Sequence, residues 1–200
     1  MKLIINMRIF LATLVLILNF QSWTKADDIS DFEIEGISIG DSLLEHFSES
    51  KIKEQLLRTK SKYNDNYIKR VWFKISNPEL YEGLNVHFIN DKNYEVVSIG
   101  GLQFFKNNRS ECYKKMDKVI NDLEKSFPKS EKSTIEINQH NADKSGKSVV
   151  RDMWFKLSSG QIYINCTDWS DNITKELKWT DEFGVYIETY EFVKWLQDKS

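Results

Sequence analysis

The fold is decided by the stretch Ser110–Phe127, which reads SECYKKMDKVINDLEKSF. Its apolar residues recur at spacings of one, three and four, which is the pattern of an amphipathic helix. They are Cys112, Tyr113, Met116, Val119, Ile120, Leu123 and Phe127. Ser110 is placed to cap the first turn. Pro128 should end the helix, because the residue before a proline avoids helical dihedrals.

Strand-like segments flank this helix, and they contain nearly the same six-residue sequence. Residues 71–76 read VWFKIS and residues 153–158 read MWFKLS. Alternation along a strand puts the aliphatic residues on one face and Trp72 and Trp154 on the other. We therefore expect an α+β fold of two helix-plus-antiparallel-sheet units, roughly α-β-β-β repeated over residues 36–105 and 110–188. The units should pack as one domain, residues 27–200, with a short C-terminal helix around residues 190–196.

The first unit contains two features that bear on its local structure. Ser42 and Glu45 fit a capping box, while Ser48 could restart the helix, so one kinked helix and two short ones both remain open. The third strand, over residues 94–105, is interrupted by Gly100 and Gly101. Paired glycines inside a strand predict a bulge or a bend.

Residues 1–26 have the layout of a secretory signal peptide. Two cations precede an apolar run over residues 9–18, and Ala26 followed by Asp27 predicts cleavage between them. The run is about half of the roughly 20 residues that cross a bilayer, so a signal anchor is the lesser alternative. We expect a periplasmic or secreted protein that does not span the membrane after cleavage.

Charge argues against a nucleic-acid partner. Losing the leader removes three cations, Lys2, Arg8 and Lys25, and no acid, so the formal charge moves from −2 to −5. Both signs are interspersed along the chain, whereas nucleic-acid binders cluster their basic residues on one face.

The chain has two cysteines, Cys112 and Cys166. An exported protein meets an oxidising compartment, so we expect these residues to form a disulfide bond. Cys166 shares the face of Ile162 and Ile164 on its strand, and this face should pack against the helix that carries Cys112. A redox role would favour a Cys-x-x-Cys spacing, which the pair lacks.

Motifs that carry catalytic chemistry are sparse. Residues 36–40, GISIG, match the Gly-x-Ser-x-Gly elbow of serine hydrolases. Too few mature residues precede them to build the sheet that holds an elbow, so the glycines are better explained by a tight turn. His46, His87 and His140 show no metal-ligand spacing, and we expect no metal and no cofactor. A small periplasmic hydrolase using Ser38, or an isolated histidine with carboxylates, stays as the alternative function.

Aromatic residues are the candidates for binding. They are Trp72, Trp154, Tyr163 and Trp169. An outward tryptophan on a sheet either stacks against a ligand or lies under the helix of the other unit, and the usual burial of tryptophan favours the second. The leading interpretation is a non-catalytic binding or interaction module whose partner is an unknown protein, peptide or envelope component.

Three segments carry a resemblance to known proteins. Residues 35–44, EGISIGDSLL, residues 109–115, RSECYKK, and residues 190–196, YEFVKWL, resemble a set of small exported proteins of streamlined marine alphaproteobacteria. The likeness extends over most of the mature chain; it implies a bacterial periplasmic location and no activity. The pattern of a turn that leads into a helix, followed by a meander, also resembles that of the outer-membrane assembly lipoprotein BamE and of beta-lactamase inhibitor proteins. The absence of a lipid-anchor cysteine departs from the first of these.

Overall fold

An antiparallel sheet carries the helices of this protein, and its strands come from both halves of the chain. The structure is a computed structural model that describes residues 28–59, 65–76 and 78–199. The strands are β1 (Glu33–Ile34), β2 (Ile37–Ser38), β3 (Ile68–Lys74), β4 (Gly83–Ile89), β5 (Val96–Phe104), β6 (Glu136–Gln139), β7 (Val149–Lys156), β8 (Gly160–Asp168) and β9 (Glu182–Thr189). The helices are α1 (Glu49–Arg58), α2 (Arg109–Ser126), α3 (Asp171–Leu177) and α4 (Tyr190–Asp198), with 3-10 turns at Ile29–Asp31 and Leu43–Glu45. The α+β class and the C-terminal helix are thus confirmed.

The main sheet has seven strands in the order β3-β4-β5-β9-β8-β7-β6, and β1 and β2 form a separate hairpin. Two antiparallel meanders meet where β5 pairs with β9. The second meander has an additional edge strand, β6, and α3 lies between β8 and β9. The internal repeat stays a prediction. The predicted cleavage site, Ala26–Asp27, lies outside the described residues.

Helices α1 and α2 pack on the aliphatic face of the sheet, as alternation along the strands predicts. Ile52 of α1 is buried with Val71 and Phe73 of β3. Met116 of α2 is buried in a second cluster with Phe155 of β7. Removing these apolar surfaces from water is the main favourable term that holds the helices in place.

The predicted disulfide is confirmed. Cys112 of α2 and Cys166 of β8 are bonded, with Cα atoms 6.0 Å apart. Both residues are buried within the second apolar cluster. The bond therefore fixes the N-terminal part of α2 to the centre of the second meander.

The helix starts differ from the prediction. The side chain of Asn108, not of Ser110, accepts a hydrogen bond from the Glu111 backbone N–H and caps α2. Ser42 makes no side-chain capping bond, whereas Ser48 caps α1. Asparagine and serine are both good caps, so the sequence predicts the region in which a helix begins better than it predicts the first residue of the helix.

Gly100 and Gly101 do not mark a bulge, contrary to the prediction. The pairing of β4 with β5 is regular at both glycines, and its register shifts instead between His87 and Phe88. A Cβ atom at Gly100 would lie 2.3 Å from the ring of Tyr186, and one at Gly101 would lie 2.5 Å from the ring of Tyr81. The two glycines therefore make room for one aromatic ring on each face of the sheet.

The face opposite α1 and α2 is called the polar face below. Many charged and amide side chains of the strands point to this side, while the aliphatic side chains between them point toward α1 and α2. Its members include Arg70, Trp72, Lys74, Asn85, His87, Glu182, Tyr186 and Glu188. Helix α4 covers one corner of this face, where Phe192 is buried with Ile68 and Val97.

Every helix in the described ranges is too short or too polar to cross a lipid bilayer.

Candidate functional site

A cavity of about 730 Å³ opens on the polar face. Its floor is formed by β3, β4, β5 and β9, and Trp195 of α4 lies at its border. The opposite wall comes from loop residues 140 and 169 and from residues 178–180 after α3. This volume lies within the range of pockets that take small molecules.

Two of the four predicted binding residues line this cavity. Trp72 lies in its floor and Trp169 in its wall, whereas Trp154 and Tyr163 lie on the same sheet face as Trp72 outside the cavity. Trp72 is half-buried and lines the cavity, while its coverage by a helix of the other unit stays a prediction. The hydroxyl of Tyr163 donates to Asp152 Oδ2 at 2.8 Å, which gives this residue a structural partner.

Aromatic side chains form the part of the cavity lining that comes from the loops. The rings of Trp169 and Trp179 meet edge to face at 4.6 Å, and the ring of His140 lies 4.3 Å from Trp169. Trp179 is 41% exposed. The Nε1 atom of Trp169 is buried without a hydrogen-bond acceptor among the described residues. Such an unpaired buried donor is costly, and a ligand could satisfy it.

The floor of the cavity is polar. Arg70 on β3 donates from Nε to Asn85 Oδ1 on β4 at 2.7 Å. His87 lines the same floor, and its buried Nδ1 atom has no partner in the described part of the chain. Burial, with a smaller contribution from the charge of Arg70, lowers the pKa of His87 to about 3. The imidazole is therefore neutral at physiological pH.

Glu182 on β9 is the carboxyl group of the floor. Burial raises its pKa to about 7; the positive charge of Arg70 opposes this shift, and the negative charge of Asp181 adds to it. No described residue donates a hydrogen bond to this carboxyl group or forms an ion pair with it within 4 Å. A desolvated carboxyl group in a cavity is a common feature of functional sites.

Tyr186 covers the floor between β5 and β9. Its ring lies over Gly100, and glycine is the only residue type that leaves space for the ring at this position. Burial raises the pKa of its phenol further, so the group stays neutral. The cavity thus offers flat ring surfaces for stacking beside a small number of hydrogen-bonding groups.

The serine motif lies elsewhere and lacks the geometry of a nucleophile elbow. Ser38 is the second residue of β2, in a two-stranded hairpin rather than at a strand-to-helix turn. Its backbone N–H donates to Asp41 Oδ2 at 2.8 Å, and His46 Nε2 is 3.2 Å from the same oxygen. Among the described residues, no histidine is hydrogen-bonded to the Ser38 hydroxyl, which an activated serine would need.

Sequence reasoning missed most of the floor. Arg70, His87, Glu182 and Tyr186 were not among the predicted site residues. A partial signal existed, because β3 and β4 place polar or aromatic residues at alternate positions, such as Arg70 and Trp72 on β3. What alternation does not reveal is which strands are neighbours.

Metal ions have no obvious place in this arrangement. Within residues 28–59, 65–76 and 78–199, no three side chains of histidine, cysteine, aspartate or glutamate gather closely enough to hold one.

Comparison of the chain with protein-family models, with curated proteins and with solved structures found no match.

Proposed function

We propose that this protein is a non-catalytic binding module of the bacterial periplasm and that its ligand enters the cavity on the polar face. The observation that carries this proposal is an open cavity lined by tryptophan rings and by polar atoms that have no hydrogen-bond partner among the described residues. Buried polar groups are normally satisfied, so unpaired ones that surround a cavity are suited to a ligand. The leader pattern of residues 1–26 and the pairing of both cysteines support the location.

A binding role fits the chemistry of the site better than hydrolysis does. Two glutamates and two histidines line the cavity, and among the described residues no serine or cysteine lines it that could act as a nucleophile. Ser38 and His46 lie in the N-terminal hairpin region and do not line the cavity. The interspersed charges and the aromatic wall favour a small molecule or a peptide over a nucleic acid.

The amphipathic fluorophore 1-anilinonaphthalene-8-sulfonate provides a direct test. Trp72→Ala should weaken its binding by about three- to tenfold, because a ring-stacking contact contributes about 0.5–1.5 kcal/mol. Trp154→Ala is the matched control: it removes the same type of side chain, also half-buried and on the same sheet face, outside the cavity. The dissociation constant of this control should stay within about twofold of the wild type.

Fluorescence titration of the three folded proteins measures the difference. Cooperative urea unfolding of each variant shows that the probe reports on a native state. No binding to the wild type, or equal weakening by both substitutions, would rule out the cavity as the binding site.

A further inference from the structure

The guanidinium group of Arg70 has unused hydrogen-bonding capacity. Its Nε atom is occupied by Asn85. Among the described residues, no group accepts a hydrogen bond from Nη1 or Nη2, and no carboxylate lies within 4 Å of them. Arg70 is half-buried and lines the cavity. An arginine whose terminal nitrogens are free presents the planar fork that binds a carboxylate in a bidentate manner.

The other charges around the cavity favour an anion. Lys74 and Lys178 also line it, against the acids Glu82 and Glu182. Glu82 is already engaged, since its carboxylate accepts a hydrogen bond from the Phe104 backbone N–H at 3.1 Å. Glu182 resists ionisation because of burial. The cations therefore outnumber the charges that could neutralise them.

Apolar surface surrounds this charge. Trp72 neighbours Arg70 along the same face of β3, and Leu102, Phe104 and Trp179 also line the cavity. A ligand that placed its carboxylate on Arg70 would therefore bring the rest of its body against rings and an aliphatic side chain. Burial of that body would supply affinity, and the arginine would supply orientation.

We infer that the cavity binds an amphipathic carboxylate, with its anionic end on the Arg70 guanidinium group and its aromatic or aliphatic body along Trp72 and Trp179. This inference rests on the proposed function and specifies its ligand class. A small free acid and the C-terminal carboxylate of a peptide ending in an aromatic residue share this chemistry.

Matched acid and amide probes test the inference by isothermal titration calorimetry. The small pair is 3-(2-naphthyl)propionate and its primary amide; the peptide pair is an acetylated pentapeptide ending in phenylalanine, with a free or an amidated C-terminus. Within at least one pair, the wild type should bind the acid at least about tenfold more tightly than the amide, because hydrogen bonds to charged groups are the strong ones. The pair that shows this preference identifies the source of the carboxylate.

Arg70→Gln should reduce the acid preference to within about twofold, and Arg70→Lys should leave part of it because the charge stays while the fork is lost. Lys156→Gln is the matched control, since it removes one partly exposed cation from the same sheet face outside the cavity. It should keep at least about fivefold preference, because an exposed charge is screened by solvent.

Glu182→Gln distinguishes a simple anion from a zwitterion such as a free amino acid. At pH 8 this variant should bind the naphthyl acid as well as the wild type or up to about fivefold more tightly, since a nearby negative charge is removed. Tighter binding of naphthylalanine than of the naphthyl acid, with loss of that binding in Glu182→Gln, would overturn the inference.

Two failures can be told apart. If the fluorophore binds in a Trp72-dependent manner but the wild type does not distinguish acids from amides, the carboxylate inference fails and the proposed function stands. The same inference fails if Lys156→Gln abolishes the preference as completely as Arg70→Gln does. If neither the fluorophore nor any of the four probes binds, the proposed function itself fails.

Discussion

Replacing Cys112 and Cys166 together by alanine is expected to lower the free energy of unfolding by about 4 kcal/mol. The disulfide closes a loop with a sequence separation of 54, and in the chain-entropy model a loop of this length restricts the unfolded chain by about that amount. Both cysteines are buried, so the loss of their packing adds to the effect. Urea unfolding at equilibrium measures the difference.

Reduction provides the internal control for this prediction. A thiol reductant should destabilise the wild type by a similar amount and leave the double variant unchanged, because the variant has no bond to break. Equal stability of the oxidised wild type and the double variant would show that the bond does not hold α2 on the sheet.

The second large effect concerns Glu188, a buried acid on the polar face. Its side chain is 8% exposed, and burial raises its pKa to about 7 although Gln161 donates a hydrogen bond to it. The folded protein therefore holds this proton more tightly than the unfolded chain, in which the pKa is near 4.5. The stability contributed by the protonated form is present below pH 4.5 and is lost as the pH rises toward about 7.

Glu188→Gln removes this titration and keeps the shape of the side chain. The free energy of unfolding of the variant, relative to the wild type, should rise by about 2–3 kcal/mol between pH 5 and pH 8. Comparing the two proteins at each pH cancels the titration of groups such as His87, whose lowered pKa acts in the opposite direction. Urea unfolding at both pH values provides the measurement.

Glu176→Gln, at an exposed position on α3, is the control for this experiment. Its effect on unfolding should stay within about 0.5 kcal/mol at both pH values, as for most surface substitutions. A pH-independent effect of Glu188→Gln would mean that water reaches the carboxyl group in the folded protein.

The sequence was sufficient for the layers of the fold. Alternation of Val71, Trp72 and Phe73 assigned each side chain to its face, and the same reasoning directed Cys166 toward the helix that carries Cys112. Period-two alternation and helical spacing are local properties, and burial of one face makes them strict. These predictions therefore succeeded without knowledge of strand order.

The cavity could not be predicted in the same way. Its floor exists because β5 pairs with β9, which joins Gly100 and Tyr186 across a long stretch of sequence. Its aromatic wall comes from loops, where Trp169 and Trp179 are separated by helix α3. Local patterns do not specify such contacts, since they depend on the tertiary path of the chain. For the same reason, Trp72 and Trp154 looked equivalent in sequence, although only Trp72 lines the cavity.

The most direct measurement of ligand binding in this cavity is a nitrogen-15 NMR titration of the tryptophan indole N–H signals with 3-(2-naphthyl)propionate. Single Trp→Phe variants assign the signals. Those of Trp72, Trp169 and Trp179 should shift with one common dissociation constant, because their rings line the cavity, while the signal of Trp154 should not move. A shift of Trp154 alone, or the absence of any indole shift up to the solubility limit of the probe, would contradict binding on the floor formed by β3, β4, β5 and β9.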